Sequence, residues 1–176
     1  MAVIDFEFRN SIIQHKEHLG KTLAYCYQCA TCSGVCPVAQ VTKGRYNPRK
    51  LILNSLLGLK DNLLLGAENN FNIWGCQVCD TCDEMCPQNV ELTEVFVLLK
   101  NMSVKEGQAP DYYTTQAKFI QEHGKAIPLA PAIERRRDQM NLPKAPKVDK
   151  KEVQTLLKET GLEDIIGPVE KKEEAK

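Results

Sequence analysis

Cys26-Tyr27-Gln28-Cys29-Ala30-Thr31-Cys32-Ser33-Gly34-Val35-Cys36-Pro37 returns fifty positions later as Cys76-Gln77-Val78-Cys79-Asp80-Thr81-Cys82-Asp83-Glu84-Met85-Cys86-Pro87. Each stretch reads C-x2-C-x2-C-x3-C-P, and together they use all eight cysteines of the 176-residue chain. A constant offset at four cysteines and a proline marks an internal duplication, hence two sites in a pseudo-twofold pair. Three cysteines separated by two residues can curl around one face of a cubane iron–sulfur cluster. Proline after the fourth lacks an N–H and fixes φ, which suits a chain leaving the loop and entering a helix. In runs of this kind the fourth cysteine ligates the other cluster. That rule assigns one [4Fe–4S] cluster to Cys26, Cys29, Cys32 and Cys86, and the other to Cys76, Cys79, Cys82 and Cys36. Structural zinc favours cysteine pairs across a longer spacer, and disulfides belong to exported chains.

The loops differ in charge. The first carries Ala30, Ser33 and Gly34 where the second carries Asp80, Asp83 and Glu84. Negative charge disfavours adding an electron, so the second cluster is expected to have the lower potential.

Composition excludes several function classes. Lys plus Arg equals Asp plus Glu at 23 each, so no basic nucleic-acid footprint exists. The longest apolar run, Val95 to Leu99, is five residues, far short of a membrane span. Met1 to Asn10 mixes acids with apolar residues and has no secretory pattern. These features predict a soluble, cytoplasmic protein. No Gly-rich nucleotide loop or Ser/His/Asp set is present, and no cysteine is left over as a nucleophile, so no catalytic residue is assigned.

Helical signals dominate along the chain. Ser11 to Gln14 has the capping-box form with Gly20 as a stop, predicting a helix from about Ile12 to Leu19 that carries His15 and His18 as surface or interface residues. Asn47-Pro48 opens a second, with Leu51, Ile52, Leu56 and Leu57 at helical spacing and Gly58 as its stop. Leu63 to Leu65 suggest a short piece before Gly66, residues 67–73 read as a loop, and Trp74 reads as a cover over the second site. Leu92, Val95, Phe96, Leu99 and Met102 form an amphipathic stripe ending before Gly107. Pro110-Asp111 opens another helix, with Tyr113, Ala117 and Ile120 on one face and Gly124 as its stop.

The predicted fold class is all-α, with duplicated cluster loops in a two-cluster domain over residues 1–127 and an extended tail over 128–176. Prolines at 128, 131, 143, 146 and 168 punctuate that tail among dense Lys and Glu. One short helix is predicted there, capped at Asp149, bearing Val153, Leu156 and Leu157, and closed by Gly161. An apolar stripe on such a segment usually needs another surface, so the tail reads as partner-docking; a disordered tail is the plainer reading. Arg135-Arg136-Arg137 fits either a solvated helix face or an interface patch.

The 39 residues between Cys36 and Cys76 read as helices, where a small bacterial ferredoxin would have closer motifs with strands between. The arrangement resembles the α-helical ferredoxin domain of respiratory and anaerobic oxidoreductases. Cys26-Tyr27-Gln28-Cys29 with Thr31-Cys32-Ser33-Gly34, then Arg45-Tyr46-Asn47-Pro48-Arg49-Lys50, then Ile73-Trp74, resembles the C subunit of soluble heterodisulfide reductase (HdrC) over residues 10–100. No cysteine precedes Cys26, unlike succinate dehydrogenase-type subunits, and no adjacent cysteines exist, unlike subunits fused to Cys-Cys-Gly domains. The resemblance implies an oxidoreductase component without its own substrate site. Its two [4Fe–4S] clusters would relay single electrons from the A subunit, which is a flavin and iron–sulfur protein, to the B subunit. The noncubane clusters of the latter would reduce the mixed disulfide of coenzymes M and B in methanogenesis. A hydrogenase or formate dehydrogenase would join the larger complex. A freely diffusing dicluster ferredoxin, or the iron–sulfur component of a related sulfur-metabolism complex, is the alternative.

Overall fold

Asp5 starts the first helix. Its carboxylate accepts from the Phe8 N–H at 2.8 Å, and α1 runs Phe6–Ile13 with Phe8 and Ile12 buried. The Ser11 capping box therefore does not operate: Ser11 lies inside α1, where its hydroxyl donates to the Phe8 carbonyl at 2.7 Å. A hydroxyl that satisfies itself on the preceding turn is no longer available as a cap. The computed structural model describes residues 3–16, 20–64, 71–127, 129–146 and 148–167, so the remainder of the expected helix, with His18, lies outside the described residues. His15 is half-buried. Gly20 stops no helix; it precedes a 3-10 segment, Lys21–Tyr25, and a side chain there would collide with the Ile12 backbone.

All described elements are helical, as expected for an all-α fold. Among the described residues no helix is long and apolar enough to cross a membrane. After the first cysteine loop come α2 (Thr31–Val35), α3 (Pro37–Val41) and α4 (Pro48–Leu56). Asn47 caps α4 through the Lys50 N–H at 3.0 Å, Pro48 takes the first turn, and Gly58 at φ 66° lets the chain turn away. The Gly58 carbonyl then accepts from the Asp5 N–H at 2.9 Å, which ties the end of α4 to the start of α1. Next are α5 (Lys60–Leu64) and α6 (Phe71–Trp74). The expected loop over 67–73 is thus helical from Phe71 onward, and residues 65–70 fall outside the described set.

The second cysteine loop leads through α7 (Thr81–Glu84) to α8 (Leu92–Lys105), which carries the predicted stripe. Leu92, Val95, Phe96 and Leu99 are buried against Leu51 and Ile52 of α4, Ile12 of α1, Leu63 of α5 and Ile73 of α6 in one core. Full burial of each such side chain contributes on the order of 1.5–3 kcal/mol. The core therefore lies directly behind both cysteine loops and holds them.

The chain divides into two compact units, Met1–Ala109 and Pro110–Lys176. That division falls before Pro110, earlier than the change of composition after residue 127. In the second unit α9 (Asp111–His123) ends at Gly124, φ 69°, as predicted. Its packed side chain is Gln121, with Ala117 and Ile120 half-buried and Tyr113 exposed. Among the described residues three helices, not one, follow: α10 (Pro131–Gln139), α11 (Lys150–Glu159) and α12 (Leu162–Ile166). Asp149 caps α11 through the Lys151 N–H at 2.9 Å. Gln154 donates to the Gln121 carbonyl at 3.1 Å and Gln121 to the Gly167 carbonyl at 3.4 Å, which joins α11, α9 and the end of α12. The three arginines lie on α10, a helix without buried residues, and Arg137 donates to the Pro143 carbonyl at 2.6 Å.

Candidate metal centre

The two loops share a backbone conformation. Gln28 and Ala30 have φ of 64° and 70°; their counterparts fifty positions on, Val78 and Asp80, have 53° and 56°. Left-handed residues alternating with ordinary ones let successive N–H groups converge into a concavity for an anion, a recurring feature of iron–sulfur sites. Val78 is β-branched, so its left-handed φ is strained, and such strain persists where the surroundings enforce it. Its N–H donates to Cys76 Sγ at 3.4 Å, Gln28 Nε2 to Cys26 Sγ at 3.3 Å, and the Val90 N–H to Cys86 Sγ at 3.3 Å. Threonines repeat the pattern: Thr31 Oγ1 lies 3.3 Å from Cys29 Sγ and Thr81 Oγ1 3.4 Å from Cys79 Sγ. Those hydroxyls hold both thiols below the usual range.

Position 33/83 performs one task with two chemistries. Ser33 Oγ accepts from the Arg49 N–H at 3.1 Å and donates to Asn47 Oδ1 at 2.8 Å, which fastens α2 to the first turn of α4. Asp83 accepts from the Thr93 N–H at 3.1 and 3.2 Å, fastening α7 to the first turn of α8, where Glu91 supplies no side-chain cap. Burial raises the Asp83 pKa and the Thr93 N–H opposes that shift. The repeat is less regular after the fourth cysteine. Pro37 does open α3, but Pro87 enters a turn with Asn89 at φ 50°, and α8 starts only at Leu92.

Helices α2 and α7 pack against each other, which brings the two loops side by side. Cys36 lines one mainly apolar cavity with Cys76, Cys79 and Cys82, alongside Tyr46, Pro48, Thr93 and Phe96. Tyr46 is buried, and its hydroxyl is raised far above the usual value by burial and then by Cys76, Cys36 and Cys82. On the other side Tyr27, raised by desolvation, senses Cys29 and then Cys86, while Cys32 senses Cys26 and Cys29 and is pushed up to about 11 by burial. All eight cysteines are free, and among the described residues no three candidate ligands converge on one point suited to a single ion. Sulfurs ringing a space, with inward N–H groups, fit a polynuclear anionic cluster better than zinc.

Three roles escape a reading of the sequence. Tyr46 walls the second cavity, Asp83 caps α8, and Lys100 of α8 is buried behind Cys76, donating to its carbonyl at 2.8 Å. Lys100 has a signal in the sequence: it stands four residues after Phe96, on the apolar face. Trp74, expected as a cover, is 7% exposed and stacks near the Lys100 ammonium.

The 4Fe-4S dicluster domain family matches residues 22–90, the span holding both loops and the helices between them. The chain is 35% identical to the iron-sulfur C 2 subunit of CoB–CoM heterodisulfide reductase from Methanocaldococcus jannaschii, over 94% of each chain. It is 31% identical to the C subunit of H2:CoB-CoM heterodisulfide,ferredoxin reductase from Methanothermobacter marburgensis, over 93% of this chain and 87% of that one. Identity to the C2 subunit of H2/formate:CoB-CoM heterodisulfide,ferredoxin reductase from Methanococcus maripaludis is 33%, over 83% and 79%. Two [4Fe–4S] clusters are the chain's cofactors. Duplicated four-cysteine loops on a helical core, together with these relatives, place the chain in the HdrC family, the iron–sulfur C subunits of the oxidoreductase heterodisulfide reductase.

Proposed function

We propose that this chain relays electrons singly from a flavin and iron–sulfur A subunit to a disulfide-reducing B subunit, in a complex that reduces the mixed disulfide of coenzymes M and B. The observation that carries this reading is the placement of every cysteine in two adjoining four-sulfur sites, in a chain whose relatives are named as subunits of such reductases. No sulfur is left for disulfide chemistry, so the substrate is reduced on another chain. Breaking a disulfide takes two electrons and two protons, hence two passages per turnover. The clusters supply reversible one-electron storage.

Within this reading Cys26, Cys29, Cys32 and Cys86 hold one cluster, and Cys76, Cys79, Cys82 and Cys36 the other. The shared cavity of Cys36 with the second loop supports the crossing, as does the electrostatic influence of both Cys29 and Cys86 on Tyr27. The loop backbones orient N–H groups, while Tyr46 and Phe96 keep water from the second site and the buried Trp74 covers Lys100 behind it. Cys29 and Cys79 are the exposed ends, one per site, and give a donor and an acceptor separate points of approach. Residues 128–176 dock the partners, with exposed Leu142, Leu156 and Ile165 available for contact. Relatives named for H2 or formate make a hydrogenase or formate dehydrogenase the expected further partner.

Native co-purification tests the reading. The chain is expected to elute with a flavoprotein and a disulfide reductase, and its clusters to be reduced through the former and reoxidised when the heterodisulfide is added. A stable monomer that exchanges no electrons with either partner overturns it in favour of a free ferredoxin.

A further inference from the structure

Lys100 is an unusual resident of a helical core. It is 9% exposed, its ammonium donates to the Cys76 carbonyl, and it stands 5.6 Å from the centroid of the Trp74 ring. Among the described residues no carboxylate lies within ion-pair distance of it. A buried cation is costly unless an anion accompanies it, and one carbonyl dipole with one aromatic face is a thin substitute. Burial pulls the Lys100 pKa down and Cys76 opposes that shift, so the anionic groups that can keep the ammonium charged are the sulfurs of the second loop. Among the described residues Lys100 is the one buried charged side chain; at the first loop the half-buried Arg49 meets Ser33 through its backbone N–H.

We propose that Lys100 is a positioning residue of the second site: its ammonium is the fixed counter-charge of the cluster held by the Cys76 loop, raising that cluster's reduction potential and offsetting the Asp83 carboxylate beside Cys82. Reduction adds negative charge to a low-dielectric site, and a fixed cation there favours the reduced form. The acidic bias of the second loop therefore acts against a balancing charge contributed by α8. Both charges are oriented by backbone groups, Lys100 by the Cys76 carbonyl and Asp83 by the Thr93 N–H. The inference rests on the cluster assignment proposed above.

EPR-monitored redox titration of the full chain loaded with both clusters tests it. Lys100→Met removes charge and donor; Lys100→Gln removes the charge and keeps a donor for the Cys76 carbonyl. Both are expected to lower the second cluster's reduction constant on the order of tenfold and to leave the first unchanged. Lys100→Arg is expected to restore it, and Asp83→Asn to shift the same cluster the opposite way. An unmoved second potential in both neutral variants overturns the proposal, as does an equal shift of both clusters. Failure of both variants to retain the second cluster also overturns it, because Lys100 would then be holding the loop rather than setting a potential. Cys36→Ser in the same series identifies the signals independently: if it removes the first cluster instead of the second, the ligand assignment fails whatever Lys100 does.

Discussion

Around Cys26, Cys29 and Cys32 the chain places Ala30, Ser33 and Gly34, and Cys26, Cys32 and Cys86 are half-buried. Around Cys76, Cys79 and Cys82 it places Asp80, Asp83 and Glu84, and there Cys36, Cys76 and Cys82 are no more than 9% exposed. One exposed sulfur remains in each set, Cys29 and Cys79. The backbones of the loops match at both left-handed positions and the threonine contacts repeat. Duplication has preserved the cradle, while the surroundings have diverged in burial and charge. Burial and an adjacent carboxylate both lower the affinity of the second site for an electron, and Lys100 works against them. The two loops therefore share a backbone geometry and differ in burial and charge.

The comparison can be broken most decisively at the fourth cysteines. Cys36→Ala, a change in the first motif, is expected to abolish the second cluster, with iron per chain falling by roughly half; Cys86→Ala is expected to abolish the first. Iron analysis with EPR checks both, and loss confined to the substituted residue's own motif would undo the crossed pairing. Next in size is Phe96→Ala. Phe96 is fully buried and lines the second cavity, so truncation is expected to cost about 3–5 kcal/mol in denaturant unfolding and to release the second cluster before the first.

Smaller effects sharpen the contrast between Ser33 and Asp83. Asp83→Asn keeps an acceptor for the Thr93 N–H and Asp83→Ala does not, so the Asn variant is expected to be the more stable by about 1 kcal/mol in thermal unfolding. Ser33→Ala is expected to cost only about 0.5 kcal/mol, because Asn47 still caps α4 through Lys50. Equal losses at both positions would mean that α8 has another cap. The smallest change is Asp80→Asn. Asp80 is exposed, and asparagine accepts its left-handed backbone, so stability is expected to move by less than about 0.5 kcal/mol. Its effect on the second potential is screened by water and ions. A shift matching that of Asp83→Asn would show that exposed carboxylates act as strongly as half-buried ones.

Much of this architecture is legible where the determinants are local. Asn47-Pro48, Asp149 and the glycines at 58 and 124 act within one turn of themselves, and each works as its residue type predicts. The stripe on α8 is read from spacing alone, and Leu92, Val95, Phe96 and Leu99 are buried as expected while Met102 is half-buried. Competition between local signals accounts for the misses. Ser11 and Asp5 both offer caps, and Asp5 prevails because its helix buries Phe8 and Ile12 in the core. Pro131 reads as a breaker in a proline-rich tail, yet it occupies the first turn of α10, where its missing N–H is harmless. Of the candidate site, all eight sulfurs and their repeat are visible in the spacing, whereas the roles of Tyr46 and Lys100 are not, because their partners lie thirty and twenty-four positions away, even though the place of Lys100 on the apolar face is visible.

By itself the sequence determined that two equivalent cysteine loops exist, that helices separate them, and that no sulfur is left for other chemistry. Those properties depend on residue type and spacing, which act over a few bonds. Tertiary structure alone decided that Tyr46 and Phe96 wall the cavity Cys36 shares with the second loop, that this site is the more buried, and that a lysine from α8 stands behind it. Desolvation and Coulombic interaction depend on what packs nearby in space, and α2 against α7 and α8 against the Cys76 loop are contacts that no local pattern encodes.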